Sequence, residues 1–226
     1  MYVPVFNALE DATEIRGLVA AAGSAELVTV GPDGYPTSTL LPVVWDGDRL
    51  VFHMARANPQ WRTLGDDAPA LAVVTGPQAY VSASWYPSKT EHGRMVPTWN
   101  YSAVHLSGRA SVRTDEAWLR EAVTLLTDRN EEGRADRWRV TDAPADFVTR
   151  QLRAVVGIEV RIERVEAKAK LSQNRSAADH AGVVAGLRAQ DDPQAAAVAT
   201  AMDAHGTRAT AGPAVPRPQA AGGPAA

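Results

Sequence analysis

Closely spaced tight turns in the first half of this chain constrain its fold more than any other feature. The turn at 31–34 (GPDG) separates an extended run at 25–30 from another at 37–45, and the turn at 46–48 (DGD) leads into a third run at 49–55. Turns this short can join antiparallel strands, whereas parallel strands need a crossover of about a dozen residues or more. The first half is therefore predicted to form an antiparallel meander.

The rest of the chain continues this pattern and adds helices. Apolar and β-branched runs predict further strands at 70–75, 78–85, 98–112 and 158–162. Helical spacing of apolar residues predicts helices at 115–127, 145–154 and 177–187. Near the start, Asn7 followed by Glu10 predicts a helix cap. These elements predict a mainly β (α+β) fold, a barrel of about six antiparallel strands with peripheral helices.

Length and composition favour one main domain with an appended tail. A chain of 226 residues can bury a sizeable core, and we assign this core to residues 1–190. From 191 to 226 the chain is rich in Ala, Gly and Pro, with few large apolar side chains. Such a composition buries too little surface to order itself. We therefore expect residues 191–226 to form a disordered tail.

Charge and residue content exclude several classes of protein. A net charge of −3 gives no overall attraction to nucleic acid or anionic membranes, and the absence of cysteine removes disulfides and thiolate catalysis. The first residues do not resemble a secretory signal, and no apolar run approaches the roughly 18 residues of a membrane span. We expect a cytoplasmic protein with no membrane partner.

Aromatic side chains concentrate between residues 80 and 108, around a polar loop at 87–95 (PSKTEHGRM). Tyr86, Trp99 and Asn100 flank this loop at strand ends and would suit the wall of a pocket for a flat ring system. Aromatic residues also favour strands in general, so a barrel core is the alternative interpretation. The residues alone leave both interpretations open.

Arg56, Asn58 and Pro59 form a pattern that suits a phosphate group. A strand ends at Arg56, and Pro59 opens a short helix whose first N–H groups have no helical partner. A guanidinium and free backbone N–H groups are donors that bind phosphate. A solvated arginine is the alternative, because most arginines on short helices face water.

The histidines do not form a metal site by their spacing. His53, His92 and His105 share no short ligand spacing, so no metal site is predicted. His53 alternates with Phe52 and Met54 along a strand and is expected on the face opposite both, as a hydrogen-bonded structural residue.

Two polar segments offer further donors to a ligand. Lys89, in the polar loop, could contact phosphate or substrate, or it could simply be solvated. The run at 170–175 (KLSQNR) packs donors around one apolar side chain immediately before a helix that Ser176 could cap. These donors could close over a ligand edge, or they could form only the entry to that helix.

Five segments carry a family resemblance that extends from residue 1 to about residue 187: MYVPVF, LVFHMARANPQW, QAYVSASWY, VPTWNYSAVHLSG and KLSQNRSAAD. On these motifs the chain resembles the PaiB family, FMN-binding negative transcriptional regulators of protease synthesis and sporulation. That family is similar to the FMN-binding split barrels, which include pyridoxamine 5'-phosphate oxidase and flavin reductases. The resemblance implies an FMN-binding split β-barrel that forms a homodimer with two FMN sites in its interface.

The resemblance also implies which residues hold the flavin. One subunit would bind the phosphate through a set that we name half-site A: Thr37, Ser38, Thr39, Leu40, His53, Ala55, Arg56, Asn58 and Trp61. Its partner would cover the ring through a set that we name half-site B: Trp85, Lys89, Thr98, Trp99, Asn100, Gln173, Asn174 and Arg175. The oxidase has serine and lysine where this chain has Arg56-Ala57-Asn58, so the resemblance does not carry over pyridoxal phosphate synthesis.

Three functions remain open from the sequence. The family resemblance implies an FMN-binding negative transcriptional regulator with a DNA or regulatory partner, although no helix-turn-helix or dense basic face is recognisable. An FMN-dependent oxidoreductase resembling flavin reductases, acting on a small molecule, is the alternative. Haem binding or degradation, with a histidine ligand to iron, is a third. Catalytic residues are not identifiable, so whether the chain is an enzyme stays open.

Overall fold

A computed structural model describes residues 1–206 of the chain. Its seven strands are β1 (Ser24–Val30), β2 (Pro36–Pro42), β3 (Val44–Asp46), β4 (Arg49–Ala55), β5 (Ala68–Val81), β6 (Thr98–Arg113) and β7 (Val155–Lys170). Its six α-helices are α1 (Ala12–Ala22), α2 (Ser88–His92), α3 (Glu116–Glu131), α4 (Ala145–Leu152), α5 (Ala177–Arg188) and α6 (Pro193–His205). Within residues 1–206, no helix combines the length and apolar character needed to cross a bilayer.

All seven strands belong to one antiparallel sheet with the order β2-β1-β5-β6-β7-β4-β3. The sheet curls so that β2, at one edge, reaches the turn after β4: Asn58 Nδ2 donates to Thr39 Oγ1 at 3.1 Å. Leu27, Phe52 and Val104, from three different strands, are among the buried side chains of the single large core inside this curl. The predicted barrel of antiparallel strands is confirmed, with seven strands instead of about six. The first half is not a meander, because the expected strand at 37–45 is divided into β2 and β3, which lie at opposite edges of the sheet.

β5 runs through a position where the sequence predicts a break. Two strands, 70–75 and 78–85, were expected on either side of Gly76-Pro77, but one strand covers Ala68–Val81. The register against β6 shifts between Thr75 and Gln78, which is a β-bulge. A bulge leaves a residue outside the ladder, so Pro77, which has no N–H to donate, is tolerated within a continuing strand.

The first helix begins later than the sequence predicts. Asp11, not Asn7, is its N-cap, and Asp11 Oδ1 accepts a hydrogen bond from the Glu14 backbone N–H at 2.8 Å. Asn7 is buried in a 3-10 turn at Val5–Asn7. The expected cap at Asn7 is therefore wrong, because Asp11 and Glu14 offer the same three-residue spacing as Asn7 and Glu10.

The ordered part of the chain extends beyond the expected boundary at residue 190. Asp192 caps α6 by accepting from the Gln194 N–H at 2.9 Å, and Pro193 occupies the first turn. Val198, Ala199 and Met202 of this helix are buried in the main core. A tail that is disordered from 191 onwards is therefore wrong for residues 193–205, and residues 207–226 of the expected tail lie outside the described residues.

Candidate functional site

Half-site A is built where β2 meets the turn that follows β4. Besides its bond to Thr39, Asn58 uses Oδ1 to accept from the Gln60 backbone N–H at 2.9 Å. Asn58 thereby caps the 3-10 turn Pro59–Thr63, a common arrangement for asparagine before proline. Protein contacts alone hold Thr39 and Asn58 side by side.

Gln60 organises half-site A from inside the barrel. Its side chain is buried, and Nε2 donates to Leu27 O at 2.9 Å and to Thr29 Oγ1 at 3.1 Å. Its Oε1 accepts from Thr39 Oγ1. Gln60 thus ties β1 and β2 to the 3-10 turn. The sequence did not identify it, because a glutamine in the first turn of a short helix is normally exposed.

Arg56 has a fixed orientation. Its Nε donates to Arg153 O at 2.8 Å and its Nη2 donates to Val155 O at 3.1 Å. The Arg56 carbonyl accepts from Trp61 Nε1 at 2.9 Å, and the Arg62 guanidinium lies 5.3 Å from the centre of the Trp61 ring. Nη1 makes no hydrogen bond to other residues within 1–206, so part of a rigid fork stays available to an anion.

The other members of half-site A lie along the same edge of the barrel. Thr37, Ser38 and Leu40 are exposed on β2, and Ala55 is exposed at the end of β4. Ser38 Oγ donates to the Glu26 carboxylate on β1. Of the β2 hydroxyl groups, that of Thr39 contacts Asn58, whereas that of Ser38 is directed to β1.

His53 lies on the outer face of β4, as its alternation with Phe52 and Met54 predicts. Those two side chains are buried in the barrel core, whereas His53 is half-buried on the face where Val51 packs with α3. Nδ1 of His53 has no hydrogen-bond partner within residues 1–206, so the expected structural hydrogen bond is absent at this nitrogen. Burial lowers the pKa of His53 below its ordinary value.

Half-site B presents an exposed aromatic pair. The Trp99 and Tyr80 ring centroids are 6.5 Å apart with an interplanar angle of 56°, and Trp99 Nε1 donates to Gln78 Oε1 at 3.0 Å. Trp99 is 48% exposed and Tyr80 52% exposed, whereas Tyr86 is only 1% exposed. The two interpretations of the aromatic stretch therefore apply to different residues: Tyr86 is core, and Trp99 is open to a ligand.

Three members of half-site B support it from behind. Asn100 is fully buried, and its Nδ2 donates to Ser172 Oγ at 3.0 Å. Gln173 is also buried, and its Nε2 donates to Ala169 O at 2.6 Å. Trp85 is partly buried and packs against the main core. These contacts make Trp85, Asn100 and Gln173 positioning residues for their neighbours.

Within the described residues, three half-site B residues with unoccupied side-chain donors come from α2 and from the loop after β7. Lys89 is exposed on α2, and Asn174 is exposed in the loop after β7. The Arg175 guanidinium lies 5.2 Å from the centre of the Tyr86 ring. Lys89, Asn174 and Arg175 are therefore the half-site B donors free to meet a ligand.

A cleft of about 280 Å³ opens within half-site B, between the N-terminal segment and the ends of β6 and β7, and Thr98, Asn100, Asn174 and Arg175 line it. Lys168 and Lys170 line it, and Lys170 Nζ donates to Thr98 Oγ1 and to Trp99 O, each at 2.5 Å. Burial, and then the charges of Lys168 and Arg175, lower the pKa of Lys170. The sequence marked Lys170 through the KLSQNR run, but nothing in the alternating strand pattern marked Lys168.

The two half-sites lie at opposite ends of β7. Ala55 of half-site A pairs with Val155, the first residue of β7, whereas Tyr101, next to Asn100, pairs with Lys170, its last residue. At roughly 3.3 Å per residue, the strand between these pairs has a contour of about 50 Å. Half-sites A and B of one chain are therefore anchored at opposite ends of β7.

The histidines lie on separate elements. His53 is on β4, His105 is on β6, and exposed His92, in α2, accepts the Arg94 N–H at Nδ1 with a distance of 3.0 Å. Within residues 1–206, no three His, Asp or Glu side chains are grouped so as to hold a metal ion.

Comparison with known sequences finds a matching family and a relative that is similar over most of the chain. Residues 1–164 match the family described as "Putative FMN-binding domain". The protein "Protease synthase and sporulation protein PAI 2" of Bacillus subtilis (strain 168) is 32% identical over 207 residues, which cover 90% of this chain and 97% of that protein.

Comparison with solved structures confirms the split-barrel fold class. The FAD and heme binding protein from Mycobacterium smegmatis superposes with a TM-score of 0.56 at 23% identity, covering 73% of each chain. The flavocytochrome Anf3 from Azotobacter vinelandii superposes with a TM-score of 0.56 at 20% identity, covering 74% of this chain and 72% of that one.

Proposed function

This chain belongs to the PaiB family of FMN-binding domains, and from that premise we propose that it binds FMN in the interface of a homodimer and acts as a PaiB-type negative regulator in the cytoplasm. Half-site A of one subunit and half-site B of the other would enclose each flavin. Bound FMN would supply redox chemistry, and the protein would orient the ring and limit its access to water.

The separation of the two half-sites carries this proposal. Half-site A has hydrogen-bond donors for a phosphate, but its one aromatic residue, Trp61, is partly buried. Half-site B has the exposed Trp99. About 50 Å of strand contour divides them within one chain. A second copy can bring half-site B of one subunit to half-site A of the other, so dimerisation would complete both sites at once.

The chemistry of half-site A fits the FMN phosphate and its ribityl chain. The oriented Arg56 guanidinium provides a charge-assisted donor, and exposed Thr37 lies on β2, where Thr39 contacts Asn58. The exposed Trp99 indole provides a flat apolar face of the kind that an isoalloxazine ring needs, and Tyr80 lies beside it at an interplanar angle of 56°. The residues present therefore suit this cofactor.

Exposed apolar side chains support the dimer. Tyr35 is 74% exposed and Leu40, on edge strand β2, is 62% exposed. An edge strand with apolar side chains open to water favours pairing or packing with another chain. β2 belongs to half-site A, so contact through this edge would bring a partner next to the proposed phosphate site.

An FMN-dependent oxidoreductase is the alternative function. The cleft within half-site B favours it, because a space of about 280 Å³ lined by Lys168, Lys170 and Arg175 could admit a small substrate near the proposed flavin ring. Haem, the third candidate, would need a side chain that ligates its iron. The partly buried His53 and His105 are candidates for this ligand, and they lie on different strands.

The test combines spectroscopy, mass and subunit complementation. The purified protein should show a two-band flavin spectrum, release a small molecule with the mass of FMN, and have the mass of a dimer in solution. Arg56→Ala damages half-site A and Trp99→Ala damages half-site B. Heterodimers of these two variants should regain one intact flavin site per dimer, whereas each variant alone should bind weakly. No recovery in the heterodimer would show that each site lies within one chain.

Regulation needs its own measurement. A salt-sensitive shift of DNA fragments by the FMN-loaded dimer would support a directly acting regulator. Reduction of bound FMN by NADH or NADPH, with turnover on an added acceptor and no DNA shift, would favour the oxidoreductase.

A further inference from the structure

The cleft within half-site B concentrates the lysines of this chain. Only three lysines occur in the sequence, and two of them, Lys168 and Lys170, line this one space together with Arg175. Tyr2, Pro4 and Phe6 of the N-terminal segment form its other wall. The remaining lining residues are Asn7, Thr98, Asn100, Ser172 and Asn174, and we name this space the cationic cleft.

Within the described residues, none of the three cations of the cationic cleft forms an ion pair with a carboxylate. Within residues 1–206, no carboxylate lies within 4.0 Å of their side-chain nitrogens, although many arginines elsewhere pair with a carboxylate, such as Arg113 with Glu159 at 2.6 Å. Glu166 precedes Lys168 on β7, but it pairs with the Met1 ammonium at 2.8 Å and lies 3.7 Å from Arg164. The charge of Glu166 is thus already engaged.

These cations are also partly removed from water. Lys168 is only 7% exposed; its Nζ donates to Tyr2 O at 3.3 Å and lies 5.1 Å from the centre of the Tyr101 ring. Arg175 donates no side-chain hydrogen bond to residues within 1–206. Clustering like charges out of water is costly unless an anion shares the space. The lowered pKa of Lys170 has the same cause, since burial and the two neighbouring cations both disfavour its charge.

The walls indicate what kind of anion fits. One side offers two ammonium groups and a guanidinium, which suit a carboxylate. The other offers Tyr2, Pro4 and Phe6, an aromatic and apolar surface that a strongly hydrated inorganic ion would not use. A volume of about 280 Å³ is near the lower limit of small-molecule sites, so the occupant is small.

We propose that the cationic cleft binds the carboxylate of a small aromatic acid, whose ring packs against Tyr2, Pro4 and Phe6. This site does not require bound FMN. Because Thr98, Asn100, Asn174 and Arg175 belong to both the cleft and half-site B, the acid would lie next to the proposed flavin ring, as a substrate of the flavin or as a regulatory metabolite.

The experiment uses three probes of the full-length protein: benzoate, the neutral isostere benzamide, and inorganic phosphate. Titration calorimetry on FMN-free and on FMN-saturated protein should detect benzoate in both, with benzamide and phosphate at least tenfold weaker. Lys170→Met and Arg175→Met should each weaken benzoate about tenfold or more, because each removes a charge-assisted contact. Lys170→Arg should retain most of the binding.

Arg120→Met is the matched control. Arg120 is a partly exposed cation on α3 that pairs with Glu116 at 3.0 Å, and α3 packs near the opposite end of β7. Its loss should leave benzoate binding unchanged. If Lys170→Met fails to fold, Arg175→Met still removes a charge, since the Arg175 side chain donates no bond that the fold depends on within residues 1–206.

Several outcomes would overturn the proposal. If benzamide binds as tightly as benzoate, the cationic side chains do not recognise the carboxylate. If phosphate binds as tightly as benzoate, the aromatic wall does not contribute to binding. Loss of benzoate when FMN saturates the protein would assign the cleft to the flavin itself. Failure of the chain to bind FMN would leave the FMN-free titration intact, so the two proposals fail separately.

Discussion

The indole of Trp85 lies directly against Gly186 of α5, where an added Cβ would be 2.3 Å from Cδ2 of the ring. One turn earlier, a Cβ at Gly182 would be 2.2 Å from the Trp85 carbonyl oxygen. The two glycines let α5 approach the turn at Ala83–Trp85 closely. This contact anchors the chain just before the polar loop that carries Lys89.

Gly186→Ala is expected to destabilise the protein. Overpacking against Trp85 should cost about 1–3 kcal/mol, which outweighs the gain of up to about 1 kcal/mol from replacing a helical glycine by alanine. Gly17→Ala is the matched control, because Gly17 is in α1 with no atom within 4 Å of an added Cβ. Urea unfolding should show a loss for Gly186→Ala and a gain for Gly17→Ala, and a gain in both would contradict the close contact.

Gln60→Leu is expected to lower the free energy of unfolding by about 1–3 kcal/mol, because it leaves the Thr29 hydroxyl and the Leu27 carbonyl without their buried donor. Exposed Gln151 on α4 provides the same substitution without such bonds. Denaturant unfolding of both variants measures the difference. Equal stability of the two would show that the buried amide bonds do not contribute.

Arg56→Ala is expected to weaken FMN binding by about 1.5–3 kcal/mol, through loss of a charge-assisted contact to phosphate. The change also removes the bonds to the Arg153 and Val155 carbonyls, so the thermal midpoint must be measured beside the affinity. Arg150→Ala is the control, because Arg150 forms an exposed pair with Asp146 at 2.5 Å. An FMN affinity like that of the control would remove Arg56 from the phosphate site.

Deleting residues 191–226 is expected to lower the thermal midpoint more than deleting 207–226. The difference isolates α6, whose Val198 and Met202 are buried in the main core. Met202→Ala alone should cost about 2–5 kcal/mol, as other large-to-small core changes do. Identical midpoints for the two truncations would show that α6 adds nothing to the core.

His53 should make stability depend on pH in a defined direction. Its pKa in the folded protein lies below 6.5 because burial disfavours the charged ring, so the unfolded chain binds the proton more readily. The contribution of neutral His53 is complete above the unfolded pKa and is lost as pH falls through the folded pKa. NMR titration of the imidazole should give a midpoint below about 6.5, and His53→Gln should flatten the stability profile there.

Strand positions were largely predictable from the sequence, whereas elements that depend on contacts between distant residues were not. Arg49–Ala55 and the outward face of His53 followed from alternation and turn spacing, which are local properties. The bulge in β5 was missed because its pairing with β6 lets Pro77 lie within a strand. The local sequence Gly76-Pro77 predicts the end of a strand, and only pairing with the neighbouring strand β6 keeps the strand continuous.

The candidate site shows the same division. Pro59 correctly predicted the start of a short helix, which is the 3-10 turn Pro59–Thr63, because helix starts depend on local chemistry. The burial of Lys168 and Gln60 could not be predicted from the sequence, because the residues around them come from strands and segments far along the chain. α6 was not predicted, because an alanine-rich segment has few large apolar side chains to bury. In the structure, the small side chains let the helix pack closely, and Val198 and Met202 are buried.

β7 begins beside half-site A and ends beside half-site B. In the proposed dimer, each β7 would therefore touch both flavins, one at each end. A displacement caused by filling one site would travel along a continuous hydrogen-bonded strand to the other, and the two affinities would be linked. A flavin titration with a Hill coefficient different from one would reveal this allosteric coupling, in which each β7 strand transmits the displacement between the two sites.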